Sequence, residues 1–320
     1  MTISRRSFLL AVPAGAAAAA PYQADGPAQR RPLAARGVLL DLARAGQRLV
    51  AVGERGHVLL SDDQGKSWRQ AQAVPTRSTL TAVSAAADGR RLWAAGHGAV
   101  ILASADGGET WTLADGRADG ADTLLAIHVD ADGQGLAVGG FGSARVSSDG
   151  GRSWKPRTLL DGEAGERHLN RIVRSAAGTW LIAAEGGHVL RGSGALAAAP
   201  WAAVKTPYAG SLWTGLALND GALLLGGMRG NLVLSRDDGL TWQHRPVPQA
   251  GSLTGGTLLA DGRPLLVGVD GTVLLGDAAG SAFKLQRLDD RPTLTAVARL
   301  DSGTLVAAGM AGLRTLEVPR

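Results

Sequence analysis

The sequence predicts an all-β fold, a seven-bladed β-propeller of four-stranded antiparallel blades, on three observations. The tract Ser-x-Asp-x-Gly-x-Ser/Thr-Trp returns about every forty-three residues. Each interval carries several short apolar runs, and the 320 residues hold seven intervals with little to spare. A repeat of roughly 40 to 45 residues with this content is the mark of a propeller blade. Clean tracts occupy residues 61–68, 104–111, 147–154 and 235–242; a degenerate copy spans 276–283, and a more damaged one ends at Trp201.

The tract has a physical reading. Asp63, Asp106, Asp149 and Asp237 are placed to cap the amides of a tight turn, while glycine takes the positive φ that other residues resist. Trp68, Trp111, Trp154 and Trp242 follow on the outgoing strand, where a large apolar ring closes the gap between turn and sheet. Such a device serves folding in every blade whatever the protein does.

Four strands fit each repeat. In the first, residues 38–43 form an innermost strand A, 48–53 strand B, 57–61 strand C and 67–74 strand D. The second repeats the order at 80–85, 92–96, 100–104 and 110–113, and five more begin near Leu124, Leu169, Leu212, Leu253 and Leu294. The runs are rich in Ala, Val and Leu with little alternation, as blades packed face to face require. The last repeat, at 294–298, 304–309 and 313–318, stops one strand short. An unpaired edge invites aggregation, so residues 29–35 are expected to supply the missing strand and lock the ring.

Residues 37–320 therefore form the propeller and residues 21–36 an N-terminal segment carrying the closing strand. Residues 1–20 have the pattern of a twin-arginine export signal, with Arg5 and Arg6 before an apolar run that is too short to span a bilayer. Cleavage after Ala19 would lower the formal charge from +5 to +3. The expected location is the periplasm, and that mild excess argues against a nucleic-acid partner. Cysteine is absent, which excludes disulfides, thiolate metal sites and a cysteine nucleophile. The histidines lack metal-ligand spacing. His57 and His188 share one place in a repeated Gly-His-Val and read as solvated residues at a strand start.

The Gly-x-x-Gly hairpins, the Ser/Thr-x-Asp-Gly-Gly-x-Ser/Thr-Trp tracts and the seven-unit count resemble the photosystem II stability/assembly factor family. Its propellers are of the bacterial neuraminidase repeat (Asp-box) type, and the likeness covers residues 37–320. It implies a non-enzymatic, cofactor-free helper that binds membrane-protein subunits during assembly. It also admits a relative in a bacterium without photosystems. The partner expected here is a membrane or periplasmic protein complex, engaged by a monomer. The rival class is a sialidase-like glycoside hydrolase, which needs an arginine cluster, an acid and a tyrosine nucleophile. The tyrosines are Tyr22, in the export region, and Tyr208, which could pair with Glu185.

Strands that run alternately up and down place the B to C tips and D to A connections on one face, with the A to B turns and Asp tracts on the other. The tips vary most, and variable loops on a rigid frame are where binding resides. Candidate binding residues there are Arg55, His97, Phe141, Glu185, Arg229 and Asp270. The two longest D to A connections, 156–168 and 202–211, add Arg167, His168 and Tyr208. Aligning the strand A copies gives a column of Asp41, Ala82, Ala126, Arg171, Gly215, Gly255 and Ala296. Asp41 and Arg171 are its charged members, a candidate channel pair from blades across the ring.

Overall fold

The computed structural model describes residues 26–115, 122–247 and 249–318. The export segment, with Arg5, Arg6, Ala19 and Tyr22, lies outside them. Seven antiparallel sheets follow in chain order around a ring, six of four strands and one of three. Strand A occupies Leu39–Ala45, Leu80–Ala85, Leu124–Val129, Leu169–Arg174, Leu212–Ala217, Leu253–Leu258 and Leu294–Arg299. Each starts at or within one residue of its expected position. Among the described residues no helix is long and apolar enough to cross a membrane.

The buried apolar side chains fall into seven clusters, one at each seam between neighbouring blades. Val50, Val52 and Leu60 of blade one meet Leu80, Leu92 and Leu102 of blade two, and Leu39, Leu49 and Leu59 meet Ala296, Val306 and Ala308 of blade seven. Burial on both faces is why these strands read as continuous apolar runs. The tract tryptophans fill the seams too. Trp111 belongs to the cluster between blades one and two, Trp154 to the next and Trp242 to that between blades four and five.

In all seven blades the pairing of strands A and B slips after the first residue, a bulge that leaves the second residue out of the ladder. In four blades that residue reaches across the seam. Thr81 Oγ1 donates to Leu124 O, Asn170 Nδ2 to Leu212 O at 2.9 Å, Thr254 Oγ1 to Leu294 O at 2.6 Å and Thr295 Oγ1 to Leu39 O at 2.8 Å.

The last of these joins blade seven to blade one and corrects an expectation. Residues 29–35 form no closing strand; blade seven has the three strands Leu294–Arg299, Leu305–Gly309 and Gly312–Leu316. Pro32, in the middle of the segment, cannot donate to a ladder. The segment attaches to blade one instead, with Ala28 N donating to Val74 O at 2.9 Å and Arg31 N to Gln70 Oε1 at 2.6 Å. It then forms a single 3₁₀ turn, Ala34–Arg36, against Gly312 of blade seven. Ring closure rests on the seam cluster, the Thr295 bond and the Arg44–Asp301 ion pair at 2.8 Å.

Candidate functional site

Turn chemistry separates the two faces. In the tract of blade three, Asp149 Oδ1 accepts from Ser147 Oγ at 2.8 Å and from the amides of Arg152 and Ser153 at 3.0 Å each, while Oδ2 accepts from Ser153 Oγ at 2.6 Å. The hydroxyl and amide donors of Ser153 and Ser147 hold this carboxyl down at about 2. Trp154 Nε1 donates to Gly151 O at 3.1 Å. The same bonds recur around Asp63, Asp106 and Asp237, although Trp242 Nε1 is buried without a partner among the described residues. These side chains spend their polar atoms on their own turns.

The opposite face is built from the B to C tips, each a short 3₁₀ turn in blades one to five. The second tip residue is left-handed in six blades: Arg55, Gly98, Phe141, Gly186, Arg229 and Asp270, with φ between 51 and 68°. Glycine adopts this conformation freely, whereas an L side chain costs roughly 1–2 kcal/mol there. The glycine that follows explains the tightness. A Cβ on Gly142 would lie 1.6 Å from Gly165 O, and one on Gly187 would lie 1.6 Å from Tyr208 O, so each tip presses on the D to A connection of its own blade.

The candidate residues separate into groups. Phe141, 70% exposed, meets His168 edge to face at 4.7 Å between centroids, and its N–H donates to His168 Nδ1 at 3.2 Å. His168 N in turn donates to Glu185 Oε2 at 3.2 Å. Beside them Arg167 Nη2 donates to Glu163 Oε1 at 3.0 Å, while its Nε is buried without a partner. These four form one patch over blades three and four. Tyr208 belongs to the next seam, stacked on His244 at 5.6 Å with its hydroxyl donating to Met228 O at 3.2 Å. Burial pushes its phenol pKa up.

Arg229 is exposed and finds no carboxylate partner among the described residues, whereas Asp270 is held by Arg287 and by Arg291 at 3.2 Å. His97 precedes the left-handed residue, which is Gly98, and stands exposed by itself. Lys205 ends strand D of blade four, Trp201–Lys205, so the connection to blade five is shorter than expected.

At the channel mouth the structure brings the charged pair together. Arg171 Nη1 lies 3.6 Å from Asp41 Oδ1, and Asp41 Oδ2 accepts the Val83 amide at 3.0 Å. Both carboxylate oxygens are thus engaged within a cavity of about 120 Å³. The blade-five member of the column is Thr214 rather than Gly215, because Thr214 pairs with Gly226 as Asp41 pairs with Val52. Thr214 stands two residues after Leu212, as Asp41 stands two after Leu39.

His57 is not solvated: it is 4% exposed, and its Nδ1 has no hydrogen-bond partner among the described residues. His188, half-buried, places Nδ1 3.0 Å from Gly186 O. What sequence reasoning missed around His57 is a basic pocket lined by Arg31, Arg55 and Arg77. Its visible signal was the row of arginines ahead of the first strand.

This chain is similar in structure to YCF48 bound to D1 peptide, at TM-score 0.68 and 18% identity over 93% of this chain and 98% of that one. It is similar to YCF48 from Cyanidioschyzon merolae at 0.67 and 17%, over 91% and 98%. It is also similar to a streptogramin B lyase at 0.73 and 10%, over 89% and 95%. Identities this low carry the propeller fold alone, and one fold hosts many functions. No protein-family model matches the chain, and no curated protein matches its sequence.

Proposed function

We propose that this chain is a non-enzymatic binding or assembly factor of the periplasm that docks a membrane or periplasmic protein complex through its tip face. The observation that carries the reading is the set of outward side chains at the tips, Phe141 first among them. Arg55, Phe141, Arg229 and Asp270 hold left-handed conformations that blades two and four give to glycine. Gln64 and Asp238 hold the same conformation on the tract face, so it is the exposed side chains at the tips, not the strain alone, that point to docking. Phe141 adds an exposed aromatic at the tip, the side-chain type that anchors protein interfaces. The propeller of YCF48, solved with a D1 peptide, is a precedent in fold for peptide capture, and a bacterial Asp-box relative of such factors is the reading adopted here. Tyr208 supports the non-enzymatic assignment, since its hydroxyl is committed to a backbone carbonyl and its pKa is raised, the reverse of what a nucleophile needs.

The test is in-cell crosslinking of the tagged protein, followed by recovery from membrane and periplasmic fractions. Phe141→Ala with Arg229→Glu should reduce the crosslinked partner roughly tenfold, as the loss of a hot-spot residue does. Lys66→Glu with Leu240→Ala, exposed on the tract face, should not. Equal loss from both pairs would remove the tip face as the docking surface. Export is tested separately: Arg5→Lys with Arg6→Lys should trap precursor in the cytoplasm, and mature protein in the periplasm of a host without the twin-arginine translocase would refute that route.

A further inference from the structure

Three guanidinium groups gather where the N-terminal segment crosses blade one. Arg31 from the segment, Arg55 from the first B to C tip and Arg77 from the connection to blade two line a cavity of about 310 Å³ with Gln29 and His57. Among the described residues the carboxylate that reaches them is Glu54, whose Oε2 lies 3.9 Å from Arg55 Nε while Oε1 accepts the Val38 amide at 3.2 Å. Arg77 Nε donates to Pro27 O at 3.1 Å and Arg31 Nη2 to Gln29 Oε1 at 2.7 Å. Those bonds use one N–H of each guanidinium and neutralise none of its charge.

His57 supplies an independent observation. It lines the same cavity, it is 4% exposed, and its buried Nδ1 lacks a partner among the described residues. A buried polar atom left unsatisfied is costly, so the packing around the floor of this cavity is under strain. Burial lowers the pKa of this ring, Glu54 opposes the shift, and Arg55 and Arg31 add to it. The ring is therefore neutral near pH 7 and leaves the charge of the cavity to its arginines.

We propose that this cavity binds a doubly charged tetrahedral oxoanion of the phosphate type, held by Arg31, Arg55 and Arg77 over the neutral ring of His57. The charge is the first reason. Three guanidiniums against the one carboxylate of Glu54 leave two positive charges, which a dianion balances and a single carboxylate does not. Geometry is the second, because forks from three different chain segments suit an acceptor with oxygens in several directions. The group comes either as free inorganic phosphate or as a phosphate monoester on a larger molecule. Bound there, it clamps the segment to blade one, and so braces the 3₁₀ turn that leans on blade seven. The site shares Arg55 with the tip face but lies away from the patch over blades three and four, and it needs no protein partner for its test.

The experiment is calorimetric titration of the purified protein with inorganic phosphate and, separately, with glycerol phosphate, followed by amide exchange of residues 26–36. Saturable binding at one site and slowed exchange in that segment are expected. Arg55→Gln and Arg77→Gln should each weaken binding by about tenfold, as loss of a charge-assisted fork does, while the exposed Arg90→Gln on the opposite face leaves it unchanged. Arg55 is 67% exposed, so its variant folds even where Arg77→Gln does not. Equal affinity for both ligands assigns the free anion, and tighter binding of the ester assigns a larger molecule; either upholds the site. Absence of saturable binding, indifference to both variants, or acetate displacing phosphate on equal terms would overturn it.

Discussion

The two faces of the ring use one repeat in opposite ways. On the tract face, Asp149 spends both oxygens on Ser147, Arg152 and Ser153 of its own turn, and Trp154 drops into the seam behind it. On the tip face, Phe141 and Arg229 stand outward on left-handed backbone. The first face converts polar side chains into turn stability; the second presents its side chains to solvent. A repeat can therefore divide scaffold from site within a single blade, and substitutions on the two faces should separate accordingly.

The largest effect belongs to the tract tryptophans. Trp111 is 4% exposed and its Nε1 donates to Gly108 O at 2.9 Å, so Trp111→Ala should cost roughly 3–5 kcal/mol in chemical denaturation. A cost near zero would mean that the seam does not depend on this ring.

Asp149→Asn comes next, at about 1–2 kcal/mol for the hydrogen bonds it weakens. Its pH signature is sharper. Because donors hold the folded carboxyls of Asp149 and Asp63 down at about 2, their contribution is complete above about pH 4, the range of an ordinary carboxyl. It is lost as pH falls from there towards 2. Melting temperature followed across that window should drop more steeply in the native protein than in Asp149→Asn, and parallel curves would refute the role given to the tract.

The tip face should respond in the reverse direction. Arg229→Gly relieves a left-handed arginine and should raise stability by up to about 1 kcal/mol while weakening partner capture. A variant both less stable and fully able to bind would break the contrast between the faces. The smallest effect is that of Lys66→Glu on the tract face, expected within about 0.5 kcal/mol in stability and without change in capture.

Much of this was legible in the chain and some was not. The four clean tracts, the strand A starts at Leu80, Leu124, Leu169, Leu212, Leu253 and Leu294, and the tip positions all follow from signals that lie within one repeat, where apolar runs and turn residues act on near neighbours. Blade four, whose tract is eroded to Trp201, is the least legible: its outer strand extends to Lys205.

The sequence by itself determined the number of blades, the strand order and the separation of turn residues from display residues, because those depend on a period that recurs along the chain. Only the tertiary structure decided how the ring closes and which distant side chains meet. Blade seven keeps three strands, and residues 29–35 attach to blade one instead of pairing with its edge. Arg31 reaches Arg55, His57 and Arg77 only because its segment turns back over blade one. Contacts of this kind carry no period, since they arise from where the curvature of the packed blades brings the two ends of the ring together.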